Sequence, residues 1–554
     1  MALTKVHNRM IDENIFNVVD YGADPTGAVD STVSINNAFA ACESAGAGTV
    51  LFPAGTYLTT DRVGSSGSSN LTDINIVAYG ATLNSNPSVA SNYSLFLYWP
   101  NLNSIKVSGL HVDGNTKTAT GIVIRNQSTT ASCVFAIVED CFVENIHAVN
   151  DASITANVIA IYIDSSDFEG KKAVIKNCSV ENVTRDKTGL TCTGVAITGF
   201  RVSTIEGNFI ENVRHSGQAG DLIDADGIKL FSKFNTVGST LVYRDVVGSI
   251  QNNVVIDCEG RFVKTQANGQ VKIDSNSFRI QGSIELIQNF VGVDCQVGEG
   301  LVANNDFFFG NTFTGGASAA AYSGQFPDES DYTFRAFTQT FSGNKLDFRK
   351  KFPYVILAGT PATSSTNSFK LYFNVTENIV NSADAASTFV STDQTTERPS
   401  NFIYVNTSSW PSAANLNGEM HWKIENNVVD TYEFLTMTTG SEDYTGKWFL
   451  HIHNNVKYPT GFSRQLLGSG TSYTSNISIS NNQIGPVDSG GVYWEFDFLE
   501  LIAPCDFYNG SGTRTNGPAS YTFRNVQLNG NFWKVVDATG IYLTQDCLTW
   551  TRIP

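Results

Sequence analysis

Along most of this chain the apolar residues come in short bursts of alternating pattern, and each burst ends on small polar residues, often asparagine. The repeated unit is an aliphatic residue, two or three small or polar ones, then another β-rich run. It reads VEDCFVENI at 138–146, IKNCSVENV at 175–183 and IEGNFIENV at 205–213. It returns as IQNNVVIDC (250–258), IDSNSFRI (273–280), VANNDFFFG (302–310) and FSGNKLDF (341–348). Later come IENNVV (424–429), IHNNVK (452–457), ISNNQI (479–484) and LNGNFW (528–533). Aligned on the central Asn, neighbours lie mostly 23 to 49 residues apart. The longer gap from Asn344 to Asn427 calls for insertions or degenerate coils.

A period in the twenties is that of one turn of a right-handed parallel β-helix, an all-β solenoid. Each coil holds three short strands, and coils stack at about 4.8 Å. Asparagine suits the corner between two strands because it tolerates left-handed backbone geometry. Stacked Asn side chains also hydrogen-bond to the coil above and below. Eleven recurrences in one apolar phase speak against the hairpin turns of a sandwich.

One segment breaks the pattern. STVSINNAFAACESAG (31–46) has helical periodicity and places Ile35, Ala38, Phe39 and Cys42 on one face. Ser31 or Asp30 caps its start and Gly46 its end. A solenoid exposes unpaired backbone at its ends, so this helix is predicted to cover the first coil. The chain divides into a connector (1–15), the cap and first coils (16–100), a central β-helix with the groove (101–345), an insertion or irregular coils (346–420) and C-terminal coils (421–554).

Composition narrows the partners. The chain has 554 residues, 41% of them hydrophobic and 16% charged, and a net charge of −17. Tracking phosphates needs clustered Lys and Arg, so nucleic acid and anionic membrane surfaces are excluded. An acidic polysaccharide needs only a local basic groove. The nine cysteines are scattered without a CxxC pair and are predicted to be buried free thiols of a protein folded in a reducing cytoplasm. MALTKVHNRM lacks the apolar core of a signal peptide, and no run approaches transmembrane length.

The opening VVDYGADPTGAVDSTVSINNAFAAC…GTVLFPAGTYLTT resembles the start of the pectate-lyase-like β-helix proteins typified by bacteriophage tailspikes. The match is specific over 16–60, and the coil pattern extends it to about 534. ALTKVHNRMI resembles the short connector before this domain in phage tail proteins, although the long virion-binding domain of many tailspikes has no counterpart here. The resemblance implies a homotrimer in the virion tail, joined through its N-terminus to a tail or baseplate protein. It implies binding, and usually cleavage, of a bacterial capsular polysaccharide or O-antigen, with no cofactor.

The densest group of ionisable residues spans 214–285. RHSGQAGDLIDADGIKLF supplies Arg214, His215, Asp221, Asp224, Asp226 and Lys229. DCEGRFVKTQ supplies Asp257, Glu259, Arg261, Lys264 and Gln266, and GSIELIQN supplies Glu285 and Gln288. Aligning the strands sets inward Ile228 over Val263 and outward Lys229 over Lys264, with Glu285 on that face one coil further on. DADGIK resembles the NTDGI motif of polygalacturonases, with Asp226 at its catalytic Asp. GRFVKTQ resembles their RIK clamp, with Arg261 and Lys264. The clamp carries one extra residue and the GHG histidine motif is missing, so only the idea of an acid is carried over. Glycoside hydrolysis needs two carboxyls, which Asp226 with Glu285, or Asp224 with Glu259, would supply. Lys229, Arg261, Lys264, Gln266 and His215 would hold the sugar. β-Elimination instead needs a cationic clamp and a base, from Lys229, Lys264, His215 or a Tyr. A non-catalytic adhesin and a bacterial lyase or epimerase use the same groove. A solvated salt-bridge face is the plain structural alternative. His451 and His453 share a strand face without a third ligand, so no metal is expected. The Trp residues of the second half either stack on sugars or fill the core.

Overall fold

The computed structural model describes residues 14–553. Outside the description are 1–13, 66–71, 127–132, 216–224, 283–289, 311–319, 326–335, 360–369, 383–398, 407–418, 439–446, 458–463, 468–473, 485–492, 497–523, 545–550 and shorter intervals between strands. The expected N-terminal connector therefore lies almost wholly outside it. The chain forms two compact units, one of residues 1–235 with 243–267, the other of 236–242 with 268–554.

Both units are parallel β-helix. In the first, strand Phe135–Glu139 pairs in register with Gly170–Lys176, and that strand with Phe200–Glu206. A second sheet stacks Phe142–Ala148, Ser179–Arg185 and Phe209–His215. A third stacks Leu95–Trp99, Thr120–Asn126, Val158–Asp164, Cys192–Thr198, Ala225–Phe231 and the start of Arg261–Asp274. The second unit repeats the scheme, with Ala336–Ser342, Lys370–Thr376, Glu419–Glu425 and Lys447–His453 in one stack. Within the 346–420 segment, Phe352–Gly359 and Pro399–Asn406 pair with each other as regular coil strands.

The corner asparagines split two jobs between neighbouring positions. The first corner residue takes a left-handed backbone, as at Asn177, Asn252, Asn304, Asn426 and Asn454 with φ between 53° and 57°. The second turns inward and builds a ladder. Asn305 Nδ2 donates to Ile273 O at 3.0 Å and to Asn344 Oδ1 at 3.0 Å, while its Oδ1 accepts from Asn276 N and Nδ2 at 2.9 Å each. The ladder of the second unit runs from Asn276 through Asn305, Asn344, Asn378 and Asn427 to Asn455. Asn378 fills the long gap left by the sequence pattern. Its corner reads TENI, with Glu377 in the left-handed position at φ 60°. In the first unit Asn208 Nδ2 donates to Asn253 Oδ1 at 2.9 Å, and Cys178 holds the preceding rung, its N–H donating to Asn208 Oδ1 at 2.9 Å.

LNGNFW is not a rung. Arg524–Asn529 and Phe532–Asp537 pair antiparallel, Asn529 facing Phe532, within a four-stranded antiparallel sheet that ends at Thr551–Ile553. The helix forms as expected over Thr32–Ala45, buries Ile35, Ala38, Phe39 and Cys42, and ends on Gly46 at φ 84°. Asp30 Oδ1, rather than Ser31, accepts from Thr32 N at its start. The Asp24 carboxylate closes the turn before it, accepting from the N–H groups of Thr26, Ala28 and Val29. Trp422 belongs to the core, stacked on Phe373 at 4.3 Å. His451 and His453 share the outer face of their strand, ring centroids 6.1 Å apart.

Seven cysteines are described, all buried and unbridged. Burial pushes the thiols of Cys42, Cys133 and Cys192 up to about 12. Thiolate is the reactive form, so these seven should resist thiol reagents at pH 8 in the folded protein and react fully in denaturant. Peptide mapping after labelling reads this directly. The ladder gives a second prediction. Asn305→Ala removes four buried hydrogen bonds and should cost about 3 kcal/mol or more. Asn304→Gly keeps the left-handed corner and should cost about 1 kcal/mol or less. Guanidinium unfolding midpoints of the two variants decide this, and equal midpoints would sink the division of labour.

Candidate functional site

The outer face of the third sheet of the first unit carries three columns of side chains fixed by register. One runs Thr120, Ile159, Thr193, Asp226, Arg261. The next runs Phe96, Val123, Tyr162, Ala196, Lys229, Lys264. The last runs Tyr98, Arg125, Asp164, Thr198, Phe231, Gln266. Five coil steps separate Phe96 from Lys264, about 24 Å along the stack.

Strict strand alternation would put Asp226 and Lys229 on opposite faces, because they are three residues apart. A local irregularity brings them together. Gly227 and Ile228 both turn inward. A Cβ on Gly227 would lie 2.5 Å from Val255 and 2.9 Å from Phe262 O, and one on Gly194 in the preceding coil 2.6 Å from Gly227 O. Glycine at these two positions lets the backbones approach and returns the strand to register at Ile228 over Val263. The expected stacking of Lys229 on Lys264 is observed.

Asp226 then sits between two cations. Lys229 Nζ lies 3.0 Å from its Oδ2, and Arg261 Nη1 donates to its Oδ1 at 3.2 Å. The contact to Oδ2 is an ion contact off the hydrogen-bonding direction. The expectation of a solvent-facing carboxylate is corrected here: Asp226 has 0% exposure and Lys229 only 7%. Outward direction did not mean access to solvent. Lys264 lies over the Phe231 ring at 5.9 Å, and Gln266 is half-buried beside it.

Glu259 is buried and accepts from the backbone N–H of His215 at 2.7 Å, with its Oε2 3.7 Å from His215 Nδ1. Arg214 lies 3.9 Å from Asp257. His215, Glu259, Arg214 and Asp257 thus pair among themselves at the end of the neighbouring sheet. Asp221, Asp224, Glu285 and Gln288 fall outside the described residues. So one member of each carboxylate pair drawn from the sequence, Glu285 beside Asp226 and Asp224 beside Glu259, lies outside the described residues.

One cleft on this face was not anticipated. It holds about 340 Å³, and its walls include Tyr93, Phe96, Arg125, Tyr162 and Asp164. Arg125 Nε lies 3.2 Å from Asp164 Oδ2. Tyr162 is hydrogen-bonded to Thr198 and to Asp164, and burial together with the Asp164 charge pushes its phenol well above the ordinary tyrosine value. Tyr93 packs on Phe96 with ring centroids 4.5 Å apart, and Phe96 on Tyr98 at 6.1 Å. Asn92 Oδ1 accepts from Thr155 N and Ala156 N, which ties the 154–157 stretch to the rim. A second cleft of about 290 Å³ lies between the capping helix and the same sheet, and Phe96 lines both. Sequence could have pointed here only through the outward positions of VIRN and IYID, once their register was known.

Residues 15–88 match the family model described as rhamnogalacturonase A/epimerase, pectate lyase-like. A search of curated proteins finds no significant match. Among solved structures, the surface adhesin PfbA of Streptococcus pneumoniae is similar at 13% identity and a TM-score of 0.34, over 96% of this chain and 99% of that one. The Dettilon tailspike protein is similar at 16% identity and 0.33, over 85% and 68%. The catalytic unit of a GH87 α-1,3-glucanase from Streptomyces thermodiastaticus strain HF3-3 is similar at 15% and 0.29, over 86% and 70%.

Proposed function

We propose that this protein is a depolymerase of the tailspike type, which lays a bacterial capsular polysaccharide or O-antigen along the outer face of its third sheet and cleaves it by endo-glycosidic hydrolysis. The observation that carries the reading is one continuous outer face bearing an aromatic, charge-lined cleft and, three to four coils on, a dense group of ionic side chains. Aromatic rings take the flat faces of sugars, and a few fixed polar groups set orientation. The pectate-lyase-like match over 15–88 agrees with that substrate class.

Within this reading Asp226 is a positioning residue. It is fully buried and engaged by both cations, so it holds Lys229 and Arg261 in place rather than reaching a glycosidic oxygen. The working acid of hydrolysis is then sought among other carboxylates. Glu285 and Asp224, which lie outside the described residues, are the first to test.

Incubation with purified polysaccharides from a panel of bacterial strains, followed by mass spectrometry, tests the proposal. Hydrolysis adds one water per cut. Products short of that water, with an unsaturated non-reducing end, would replace hydrolysis by elimination, and binding without products would leave an adhesin. Asp226→Asn should lower stability by about 3 kcal/mol, because it takes the central charge out of a buried ion group. The midpoint of chemical denaturation reads it. An unchanged midpoint would show that the triad has no structural role.

A further inference from the structure

We infer that the clefts on either side of Phe96 form a binding site for an anionic saccharide, with Arg62 and Arg125 receiving carboxylates and Tyr93, backed by the buried Phe96, receiving a sugar ring. The inference rests on the polysaccharide reading and adds the charge class of the ligand and the residues that select it.

Two arginines carry it. Arg125 Nε lies 3.2 Å from Asp164 Oδ2, an ion contact off the hydrogen-bonding direction. The Nη1–Nη2 edge of a guanidinium is one that receives a carboxylate through two parallel bonds. Among the described residues Nη1 and Nη2 of Arg125 have no hydrogen-bond partner, and the side chain, one-third exposed, lines the 340 Å³ cleft. Arg62 lines the other cleft and lies over the Phe96 ring at 5.7 Å. It is exposed and has no acidic partner among the described residues. Two guanidinium groups therefore border clefts that share Phe96, on a chain whose net charge is −17.

The rest of the cleft limits repulsion. Asp164 is 3% exposed, with Arg125 Nε in ion contact at 3.2 Å and Tyr162 hydrogen-bonded to it. Its charge is thus screened from the opening, while the arginine edge is not. Arg62 precedes Val63, which pairs with Leu95, and Leu95 pairs with Ile122 in the strand of Arg125. The two guanidinium-bearing coils are two stacking steps apart, about 10 Å. Arg62 stands one residue before Val63 and Arg125 three residues after Ile122, so the arginines are also offset along the strands and fall on separate units of an extended acidic glycan rather than on one carboxylate.

Immobilised polygalacturonate, alginate and hyaluronan, each beside its carboxyl-reduced neutral form, test this on the intact protein. We expect retention on at least one acidic glycan and at least tenfold weaker retention on its reduced form. Arg125→Ala and Tyr93→Ala should each weaken binding roughly ten- to a hundredfold. Arg125→Lys keeps the charge and loses the fork, so it should recover only part of the affinity. Arg201→Ala removes an exposed cation from a different sheet and should change nothing. Equal retention on the reduced forms, full affinity in Arg125→Ala with the fold intact, or binding of neutral bacterial glycans alone would overturn the inference and leave the polysaccharide reading standing. No retention on any glycan, acidic or neutral, would overturn both.

Discussion

In-register parallel stacking governs everything else in this protein. A parallel strand has no partner within its own coil, so every N–H and C=O must find the coil above or below, corners included. At the corner the backbone leaves its sheet, and its polar groups would be buried without partners. The inward Asn supplies both missing roles. Its Nδ2 reaches a carbonyl such as Ile273 O or Val302 O, and its Oδ1 receives the preceding corner's N–H. Where the rung is Cys178, the thiol lies within 3.3 Å of Lys176 O and the backbone N–H still bonds to Asn208. The asparagine repeat is therefore a hydrogen-bonding requirement written into sequence.

The same register decides the outer face. Once Ile161, Val195, Ile228 and Val263 stack inside, each outward residue has a fixed neighbour one coil away. Ionic groups then meet across 35 or 39 residues of sequence without any motif, as Arg261 meets Asp226 and Arg125 meets Asp164. The small residues at 194 and 227 add one departure from period two. That departure turns an i, i+3 pair into an ion contact, in a strand where it would otherwise point both ways.

This explains what the sequence reveals and what it hides. The coil repeat, the capping helix and the pairing of Lys229 with Lys264 follow from local pattern plus one register choice. The burial of Asp226 does not, because alternation gives direction and says nothing of cover. Asn378 is hidden because Glu377 replaces the usual corner residue, whose left-handed backbone Asn or Gly would normally announce. LNGNFW misleads for the opposite reason, since Asn and Gly together are also the chemistry of a tight hairpin. The cleft at Arg125 is silent because its walls come from separate coils and none has a distinctive neighbour in the chain.

A scaffold of this kind also changes what binding costs. Part of the cost of gripping a flexible polymer is the ordering of the protein side chains that grip it. Here Arg125 is already oriented by Asp164 of the next coil, Asp164 by Tyr162 of its own strand, and Tyr162 by Thr198 one coil further on. Lys229 and Arg261 are likewise held by Asp226. The buried carboxylates spend no effort on the ligand and fix the cations that would meet it. A rigid interior ladder and a row of ion-paired outer residues are thus two uses of one constraint. Stacking satisfies the backbone within, and the same stacking lets acids deep in the outer layer aim the bases above them.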